Sequence, residues 1–533
     1  MTGRTGRNSS RLLTAVNRMS LCSVRPELCL PSDIATPIWP RLCRLHLGFA
    51  MSESGTMNDS YPHPDLTTIA GQRVTVMGLG SFDGGVAAVR FLSARGASVR
   101  VSDQRSAAQL AESISRLNDV ANVEWCLGGH DWSHFADSDF VVVNPAVPPR
   151  HPIVQQLDSA DIPITSEMNL FWSLNPGRTI AVTGSNGKST TTALIHSMIK
   201  ASGQQCWLGG NIGHSLLPHL HDIASDDWVV LELSSFQLHL LNRIQARPHI
   251  AVVTNFAPNH LDWHETLEDY RQAKQSILRW QSHSDWCVLN GDDADVSEWP
   301  HEATAVFAVL SLSQPPDETP KSHQAWFDNS GLAQIRIPHL EPGSCELPLH
   351  EWCGLRGRHN LSNALLSATA ARLAGVDLEG IHQGLQQFEA LPHRLQFVGE
   401  IDGRKFYNDS ISTTPESTIA ALDSFTEPIV ILAGGYDKQV DLKDLARKIA
   451  EQAKAASLLG QTAPVLKNGI TSSNALIPIE SCPDFRSAFA WAVEQSSPGD
   501  VILLSPGCAS YDWFKNFADR GDQFRRLVEE VRC

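Results

Sequence analysis

The residues with the clearest chemical potential form the segment Thr183-Gly184-Ser185-Asn186-Gly187-Lys188-Ser189-Thr190, which lies between an apolar stretch and an amphipathic stretch. Glycines let successive backbone amides turn toward a phosphate, and a following helix N-terminus adds positive potential. Lys188 would place an ammonium on the β- and γ-phosphates, and the Ser189 hydroxyl would bind magnesium. The spacing is GxxGK[ST]; the longer GxxxxGK[ST] loop would need a glycine at Val182. A plain turn before a helix leaves the Lys-Ser pair unexplained, so we predict an ATP-binding phosphate loop.

Three further residues fit beside this loop. Glu232 lies near the end of an apolar segment, where a carboxylate could hold magnesium close to the phosphates, although it could equally face solvent. His260 follows another apolar segment, and a single histidine in such a place is more often structural. Spacing alone would put Lys274 on a helix surface. These three residues therefore become informative only together with the loop.

Near the start of the alternating pattern, Gly78-Leu79-Gly80-Ser81 follows an apolar segment. The dinucleotide fingerprint GxGxxG requires a third glycine at the position of Asp83, whereas Gly84 comes one residue late. Asp103, about twenty residues further on, could still bind a ribose hydroxyl. The segment is therefore compatible with a nucleotide but does not support a nicotinamide cofactor.

Short apolar strands alternate with helical stretches from Arg73 onward, which is typical of parallel α/β units. The predicted strands are 74–77, 98–102, 140–143, 179–182, 228–233, 249–254, 405–408, 429–432 and 501–504. The predicted helices include one ending near 94, one after Pro258, one over 360–374, one with Pro415 in its first position, and one after Arg520. Residues 282–352 read as irregular and proline-rich, and we assign them no role. The fold class is α/β with three domains: Rossmann-like, P-loop ATPase-like and again Rossmann-like.

Composition excludes several functional classes. The chain has 533 residues with a net charge of −16, which argues against a binder of nucleic acid or of membrane surfaces. Eleven cysteines without CxxC pairs predict reduced thiols in a cytoplasmic protein. No apolar run reaches the roughly 20 residues of a membrane span. Residues 1–65 are arginine-rich and poor in acids, which predicts a disordered extension, a true start at Met51 or Met57, or alternatively a transit peptide.

Several segments together resemble the Mur ligase family, in the family's own order. They are the loop 183–190, Gly210-Asn211-Ile212-Gly213, LELSSFQL at 231–238, Asn255 with His260, Tyr270 with Lys274, His359-Asn360 with Asn363, Leu391-Pro392-His393-Arg394, Asn408-Asp409-Ser410, and SPGCASYDWFKNF at 505–517. The last resembles the D-glutamate-adding members. The resemblance implies an ATP-dependent ligase, a monomer that joins D-glutamate to UDP-N-acetylmuramoyl-L-alanine through an acyl phosphate in peptidoglycan synthesis.

The resemblance also implies roles for individual residues. A UDP-binding domain (66–166) would use Gly78, Leu79, Ser81 and Asp103. An ATP-binding domain (167–390) would use Gly184, Ser185, Asn186, Gly187, Lys188, Ser189, Thr190, Asn360 and Asn363, with Arg394 and Asp409 added from an amino-acid-binding domain (391–533). Ser189 and Glu232 would hold one Mg²⁺, and His260 with a carbamylated Lys274 a second. Thr413, Lys438, Ser510 and Phe517 would bind D-glutamate, with Asn211 near the muramoyl substrate.

Two positions depart from the family pattern, and three rival functions stay open. Ile411 stands where a lysine is frequent, and Asn259 where an aspartate is frequent. The rivals are a sibling Mur ligase for another amino acid, a folylpolyglutamate-type ligase, and a non-enzymatic regulator that binds a UDP-sugar. The C-terminal segment and the first domain argue against the folate enzyme. The complete set Lys188, Glu232, His260 and Lys274 argues against a regulator.

Overall fold

The computed structural model describes residues 62–80, 83–309, 323–340, 343–352, 354–389, 391–438, 440–473 and 476–532. The prediction for Ser81 and most of the predicted N-terminal extension lie outside these described residues. Three sheets of five, nine and six strands follow one another along the chain. Each is built mainly from parallel strands, which confirms the predicted α/β class. No described helix is long and apolar enough to cross a membrane.

The first sheet has the order β3-β2-β1-β4-β5 and is parallel throughout. Its strands are β1 (Arg73–Met77), β2 (Ser98–Asp103), β3 (Val123–Leu127), β4 (Phe140–Val143) and β5 (Ile164–Thr165). The accompanying helices are α1 (Asp83–Ala94), α2 (Ala111–Ser115), α3 (Pro152–Ser159) and α4 (Glu167–Leu174). Strand β4 is buried and apolar on both faces, as a parallel strand between helices requires, and the buried valines of β1 and β2 line one face of each strand.

The central sheet has nine strands in the order β14-β13-β12-β11-β10-β9-β6-β8-β7. Its strands are β6 (Arg178–Thr183), β7 (Cys206–Gly210), β8 (Trp228–Glu232), β9 (Ile250–Val253), β10 (Trp286–Asn290), β11 (Thr304–Val309), β12 (Gln324–Phe327), β13 (Ala333–Arg336) and β14 (Cys345–Leu347). Its helices are α5 (Lys188–Ala201), α6 (Ser235–Arg243), α7 (Leu261–His264), α8 (Leu267–Arg279), α9 (Leu349–Trp352), α10 (Arg358–Leu373) and α11 (Leu378–Gln386).

The expectation that residues 282–352 are irregular is wrong. Five strands, β10 to β14, lie in this stretch and extend the central sheet, and β12, β13 and β14 pair antiparallel. These strands are three to six residues long, so no long apolar period marks them in the sequence. Their burial comes from the neighbouring strands and from α10.

The third sheet has the order β15-β16-β20-β17-β18-β19, with the edge strand β15 antiparallel. Its strands are β15 (Gln396–Ile401), β16 (Arg404–Asn408), β17 (Ile429–Gly434), β18 (Ala453–Leu459), β19 (Ile479–Ser481) and β20 (Val501–Leu504). Its helices are α12 (Pro415–Leu422), α13 (Lys443–Gln452), α14 (Ala463–Ser472), α15 (Phe485–Gln495) and α16 (Phe517–Arg532). Pro415 is the first residue of α12, as predicted. The last helix begins at Phe517, not after Arg520.

Helices α5 and α11 pack so closely that one glycine is required between them. A Cβ atom on Gly384 would lie 2.5 Å from Cα of Met198, and the Ser197 hydroxyl donates a hydrogen bond of 2.8 Å to the Gly384 carbonyl. Helix α5 directly follows the phosphate loop. The close approach therefore fixes the helix on which the loop rests.

We predict that Gly384→Ala lowers the free energy of unfolding by about 1–3 kcal/mol, because the added methyl group must separate two packed helix backbones. The matched control is Gly354→Ala, since a Cβ atom there would meet no atom within 4 Å. Urea denaturation of both variants checks this. Equal stabilities would show that the helices separate without cost.

Candidate active site

The phosphate loop lies between β6 and α5, as the sequence predicts. Gly184 has φ of 147° and Gly187 has φ of 80°, which are left-handed values that favour glycine. Packing excludes side chains as well: a Cβ on Gly184 would lie 1.9 Å from Oγ1 of Thr254, and one on Gly187 2.4 Å from Oδ1 of Asn363. Both glycines are therefore required by conformation and by space.

The residues that follow β9 hold the loop in place. The Asn255 carbonyl accepts from the Ser185 amide at 2.9 Å, and its side-chain oxygen accepts from the Asn186 amide at 2.8 Å. The Thr254 hydroxyl donates to the Asn186 carbonyl at 2.6 Å. Sequence reasoning assigned no role to Thr254. The polar pair Thr254-Asn255 follows an apolar strand in the sequence, but only the pairing of that strand with β6 brings the pair to the loop.

Two lysine side chains donate hydrogen bonds to backbone carbonyls of the loop. Lys188 Nζ donates to the Ser185 carbonyl at 2.9 Å, and Lys274 Nζ donates to the Gly184 carbonyl at 2.7 Å. Burial lowers the pKa of Lys188, which Glu232 opposes and Arg394 reinforces. Burial, and then the charge of Lys188, hold the pKa of Lys274 well below its usual range. Spacing placed Lys274 on the surface, yet only 1% of it is exposed.

Glu232 ends β8 next to the loop and is 1% exposed. Its Oε1 accepts a hydrogen bond of 2.9 Å from the Asn211 side chain, while its Oε2 is buried without a hydrogen-bond partner. A buried carboxylate oxygen that lacks a donor is suited to a cation, and the Ser189 hydroxyl, in the first turn of α5, is a second hard oxygen. Within the described ranges, no three His, Cys, Asp or Glu side chains cluster as a metal site. A magnesium ion here would therefore need hydroxyl, carbamate or phosphate oxygens.

His260 lies on the segment after β9, at the N-cap of the one-turn helix α7. Its exposed ring packs edge-to-face on Phe236 at 5.0 Å and lies 6.3 Å from the ring of Tyr270. Lys274 Nζ lies 4.8 Å from the centre of the same tyrosine ring, whose hydroxyl is 3.0 Å from Ser185 Oγ. Tyr270 therefore packs near both His260 and Lys274 and links them to the loop.

The residues predicted to contact the nucleotide come from two domains. Asn360 donates to the Arg356 carbonyl at 2.7 Å, and Asn363 donates to the Asn360 side chain at 3.2 Å. Arg394 is half-buried, its Nε has no hydrogen-bond partner, and its charge acts on both Lys188 and Asp409. The structure thus brings Arg394 of the third domain toward the loop.

Asp409 is a buried carboxylate that organises the third-domain side of this site. It accepts hydrogen bonds from the Ser412 hydroxyl at 2.6 Å, the Ser505 hydroxyl at 2.7 Å and the Leu395 amide at 3.0 Å. Burial raises its pKa from 3.8 to about 6, against the effect of these hydrogen bonds. These contacts join β16 and β20 to the segment that carries Arg394.

In the first domain, Gly78, Leu79 and Asp103, which are predicted to bind UDP, lie at the ends of β1 and β2. The Gly80 amide donates to Asp103 at 3.4 Å, and Gly78 has a left-handed φ of 83°. Asp103 also accepts from the Arg105 amide at 2.9 Å. Leu79 is fully buried, so its backbone, not its side chain, faces any ligand.

The residues predicted to bind D-glutamate lie on four segments of the third domain. Thr413 follows β16, Lys438 follows β17, Ser510 follows β20, and Phe517 opens α16. Lys438 is exposed, with Nζ 6.0 Å from the ring centre of Tyr511, while Ser510 is 2% exposed.

Arg520, which sequence reasoning missed, connects three of these segments. Its guanidinium donates to the Ser410 carbonyl at 2.8 Å, the Ser410 hydroxyl at 3.0 Å and the Cys508 carbonyl at 3.1 Å. The Ser410 hydroxyl in turn donates to the Phe517 carbonyl at 2.7 Å. Arg520 therefore holds the backbone that leads to Thr413, Ser510 and Phe517.

Comparisons with known proteins cover nearly all of the described chain. Three family models match: the Mur ligase MurD-like N-terminal domain at residues 72–166, the Mur ligase middle domain at 182–371, and the Mur ligase, glutamate ligase domain at 393–508. A UDP-N-acetylmuramoylalanine–D-glutamate ligase of Symbiobacterium thermophilum is 38% identical over 86% of this chain and 98% of its own length. The protein of the same name from Acetivibrio thermocellus is 35% identical over 87% of this chain and 98% of its own length.

Solved structures support the fold. A UDP-N-acetylmuramate-alanine ligase from Thermotoga maritima has a TM-score of 0.55 at 17% identity and covers 86% of this chain and 99% of its own. A pseudomurein peptide ligase type C from Methanothermus fervidus has a TM-score of 0.52 at 15% identity, with 86% and 100% covered. At these identities the likeness shows the three-domain architecture.

We predict that Asp409→Asn changes how stability depends on pH. A carboxyl group whose pKa is higher in the folded state binds protons more tightly there, so the contribution of Asp409 to wild-type stability falls as the pH rises from about 4 to about 6. Asparagine does not titrate, so the variant does not lose this contribution. Its free energy of unfolding, relative to that of wild type, should therefore rise by on the order of 1–3 kcal/mol between pH 4 and pH 7. Urea denaturation at both pH values measures this.

The control is Asp444→Asn, an exposed aspartate of the same domain. This variant should show the same difference in free energy of unfolding between the two pH values as wild type. An Asp409→Asn profile parallel to wild type would show that the carboxylate is already ionised at pH 4.

Proposed function

The chain belongs to the Mur ligase family, and we propose that it is an ATP-dependent ligase that joins D-glutamate to UDP-N-acetylmuramoyl-L-alanine in peptidoglycan synthesis. Relatives with this activity in their names are 34–38% identical to it over 86–87% of its length. The observation that carries the proposal is the loop itself. Half-buried Lys188, buried Lys274 and the unpaired oxygen of Glu232 converge on a backbone shaped to receive phosphates.

The reaction must overcome the low reactivity of a carboxylate. ATP transfers its γ-phosphoryl group to the carboxylate of the L-alanyl substrate, and the amine of D-glutamate attacks the resulting acyl phosphate. Inorganic phosphate leaves and an amide remains. We assign to Lys188 the stabilisation of charge that develops on the phosphoryl oxygens. Arg394 brings a further positive charge from the third domain, and closure around the nucleotide would keep water away from the acyl phosphate.

We further propose two magnesium positions. Ser189 and Glu232 would hold one ion, and His260 with a carbamylated Lys274 the second. Magnesium, when bound, would offset the negative charge of crowded phosphate oxygens. Carbon dioxide adds to a neutral amine to give a carbamate anion and a proton. The depressed pKa of Lys274 favours that neutral amine, and carbamylation would turn a buried cation into an oxygen ligand.

The remaining residues are assigned to the three substrates. ATP would lie on Gly184, Ser185, Asn186, Gly187, Lys188, Ser189 and Thr190, with Asn360, Asn363, Arg394 and Asp409 completing the site. UDP-N-acetylmuramoyl-L-alanine would contact Gly78, Leu79, Ser81, Asp103 and Asn211, and D-glutamate would contact Thr413, Lys438, Ser510 and Phe517. We propose a monomeric cytoplasmic enzyme with domain boundaries near residues 166 and 390.

The function is tested by phosphate release in the presence of ATP, Mg²⁺ and UDP-N-acetylmuramoyl-L-alanine. D-glutamate should stimulate release, whereas L-glutamate, L-alanine and meso-diaminopimelate should not, and Lys188→Ala serves as the inactive control. Stimulation by another amino acid would indicate a sibling ligase. A folate substrate with L-glutamate tests the folylpolyglutamate alternative. Binding of the UDP-sugar without phosphate release would favour the regulator.

Lys438→Ala should raise the KM for D-glutamate by roughly tenfold or more, because a cation that pairs with a carboxylate is lost. The KM for ATP should stay within about twofold, as Lys438 lies in the third domain, outside the loop. Lys443→Ala removes an exposed lysine of the same domain and should change neither constant. Equal increases for both substrates would show that Lys438 is wrongly assigned.

Lys274→Ala should lose most activity, since it removes both a loop contact and the proposed ligand. Acetate should restore part of it by supplying a carboxylate in the vacated space. Enzyme incubated with ¹³C-bicarbonate should show a carbamate signal by NMR that the variant lacks. Lys200→Ala, an exposed lysine at the end of α5, is the control. Full activity of Lys274→Ala would remove this residue from the mechanism.

A further inference from the structure

The one-turn helix α7 carries His260 in an unusual backbone setting. His260 has φ of 54° and Glu265 has φ of 66°, so non-glycine residues in left-handed conformations bracket the helix. Such conformations persist where the surrounding structure imposes them. The amides of Trp263 and His264 both donate to the His260 carbonyl at 3.0 Å. A single turn is not stable by itself, so side-chain contacts must hold it.

His264 provides such a contact on the buried side. It is 5% exposed, and its Nε2 lies 2.8 Å from Oγ of Ser235, which is 2% exposed. The rings of Trp263, Tyr270 and Phe236 surround the imidazole, with centroids 4.4, 5.2 and 5.6 Å away. A buried hydrogen bond enclosed by aromatic rings restricts the imidazole to one orientation.

The partner of His264 lies on a different strand-helix unit. Ser235 is the first residue of α6 and comes three residues after Glu232, which ends β8. The capping box of Ser234 and Gln237 fixes that helix end. The Ser235–His264 hydrogen bond therefore joins the segment that carries Glu232 to the turn that carries His260.

We propose that His264 is a positioning residue, which through Ser235 fixes the turn that carries His260 relative to Glu232. The inference rests on the proposed function, in which Glu232 and His260 are magnesium ligands. Arg150 of the first domain holds the outer side of the same turn, donating to the Trp263 carbonyl at 2.8 Å. The inner bond is shielded from solvent and the outer contact is half-exposed, so the inner bond sets the geometry.

The test measures Mn²⁺ binding to the enzyme by electron paramagnetic resonance, with a non-hydrolysable ATP analogue present. His264→Leu and Ser235→Ala should each weaken Mn²⁺ binding by roughly tenfold or more, as loss of a contact that orients a ligand does. The double variant should bind Mn²⁺ as tightly as the single variant with the lower affinity, because the two substitutions remove the same hydrogen bond. His264→Gln should bind within about threefold of wild type, since its terminal amide reaches the Nε2 position.

Two controls make the result specific. His239→Leu removes a neighbouring imidazole that packs on Trp263 at 5.5 Å and should leave Mn²⁺ affinity unchanged. Thermal unfolding shows which variants are folded, and Ser235→Ala, which removes the other partner of the same hydrogen bond, keeps the test decisive if His264→Leu does not fold. Wild-type Mn²⁺ affinity in folded His264→Leu, or equal weakening by His239→Leu, overturns the positioning role.

His260→Ala separates this proposal from the proposed function. If His260→Ala leaves Mn²⁺ affinity unchanged, the metal assignment fails and the positioning role fails with it. If His260→Ala weakens binding while folded His264→Leu and Ser235→Ala do not, only the positioning role is overturned.

Discussion

Two lysine side chains, half-buried Lys188 and buried Lys274, meet one buried carboxylate at the end of the central sheet, and much of the surrounding structure follows from how these groups are compensated. Burying a charge is costly unless hydrogen bonds or an opposite charge compensate it. Glu232 supplies one negative charge, and the backbone carbonyls of Ser185 and Gly184 accept from Lys188 and Lys274. Lys188 and Arg394 together outweigh the single negative charge of Glu232 even when Lys274 is a neutral amine, so the site retains positive potential, which suits a polyphosphate. In a chain of net charge −16, that potential must be concentrated locally.

The order of the strands explains how these groups meet. Strands β9, β6 and β8 are neighbours and run parallel, so their carboxyl ends lie at one edge of the sheet. Strand β6 continues into the phosphate loop, β8 ends with Glu232, and β9 leads through Asn255 to His260. A parallel α/β sheet thus brings together groups from residues 183 to 260 without a long loop.

The sequence revealed those parts of the site that interrupt a regular pattern. The glycines beside a lysine and a serine stand out because they separate an apolar strand from a helix. Glu232 stands out because it is a charged residue that follows four apolar ones. The strands β10 to β14 were missed because each is short, and because their burial comes from pairing with neighbouring strands and packing against α10, which local periodicity does not show. Hydrogen bonds such as those of Thr254 depend on that pairing, so local spacing could not identify them.

Lys274 and Arg520 were harder to interpret because each is a charge on the buried face of a helix. Lys274 shares its face with Tyr270 and Ile277, at the spacings of four and three residues that bring side chains together on a helix. Arg520 stands four residues before buried Phe524 on α16. Each helix therefore keeps its apolar periodicity, and the basic residue that falls at an apolar position is the one that has a specific role.

In both helices the buried cation donates to backbone carbonyls of a functional loop: Lys274 to Gly184, and Arg520 to Ser410 and Cys508. A neutral side chain of the same size would fill the space but leave those carbonyls without a buried donor, at a free-energy cost. Each loop therefore depends on a buried basic side chain as a donor. In return, the carbonyls of the loop offset part of the cost of burying that side chain. A cation within an otherwise apolar helix face is therefore a signal that a nearby loop needs a donor.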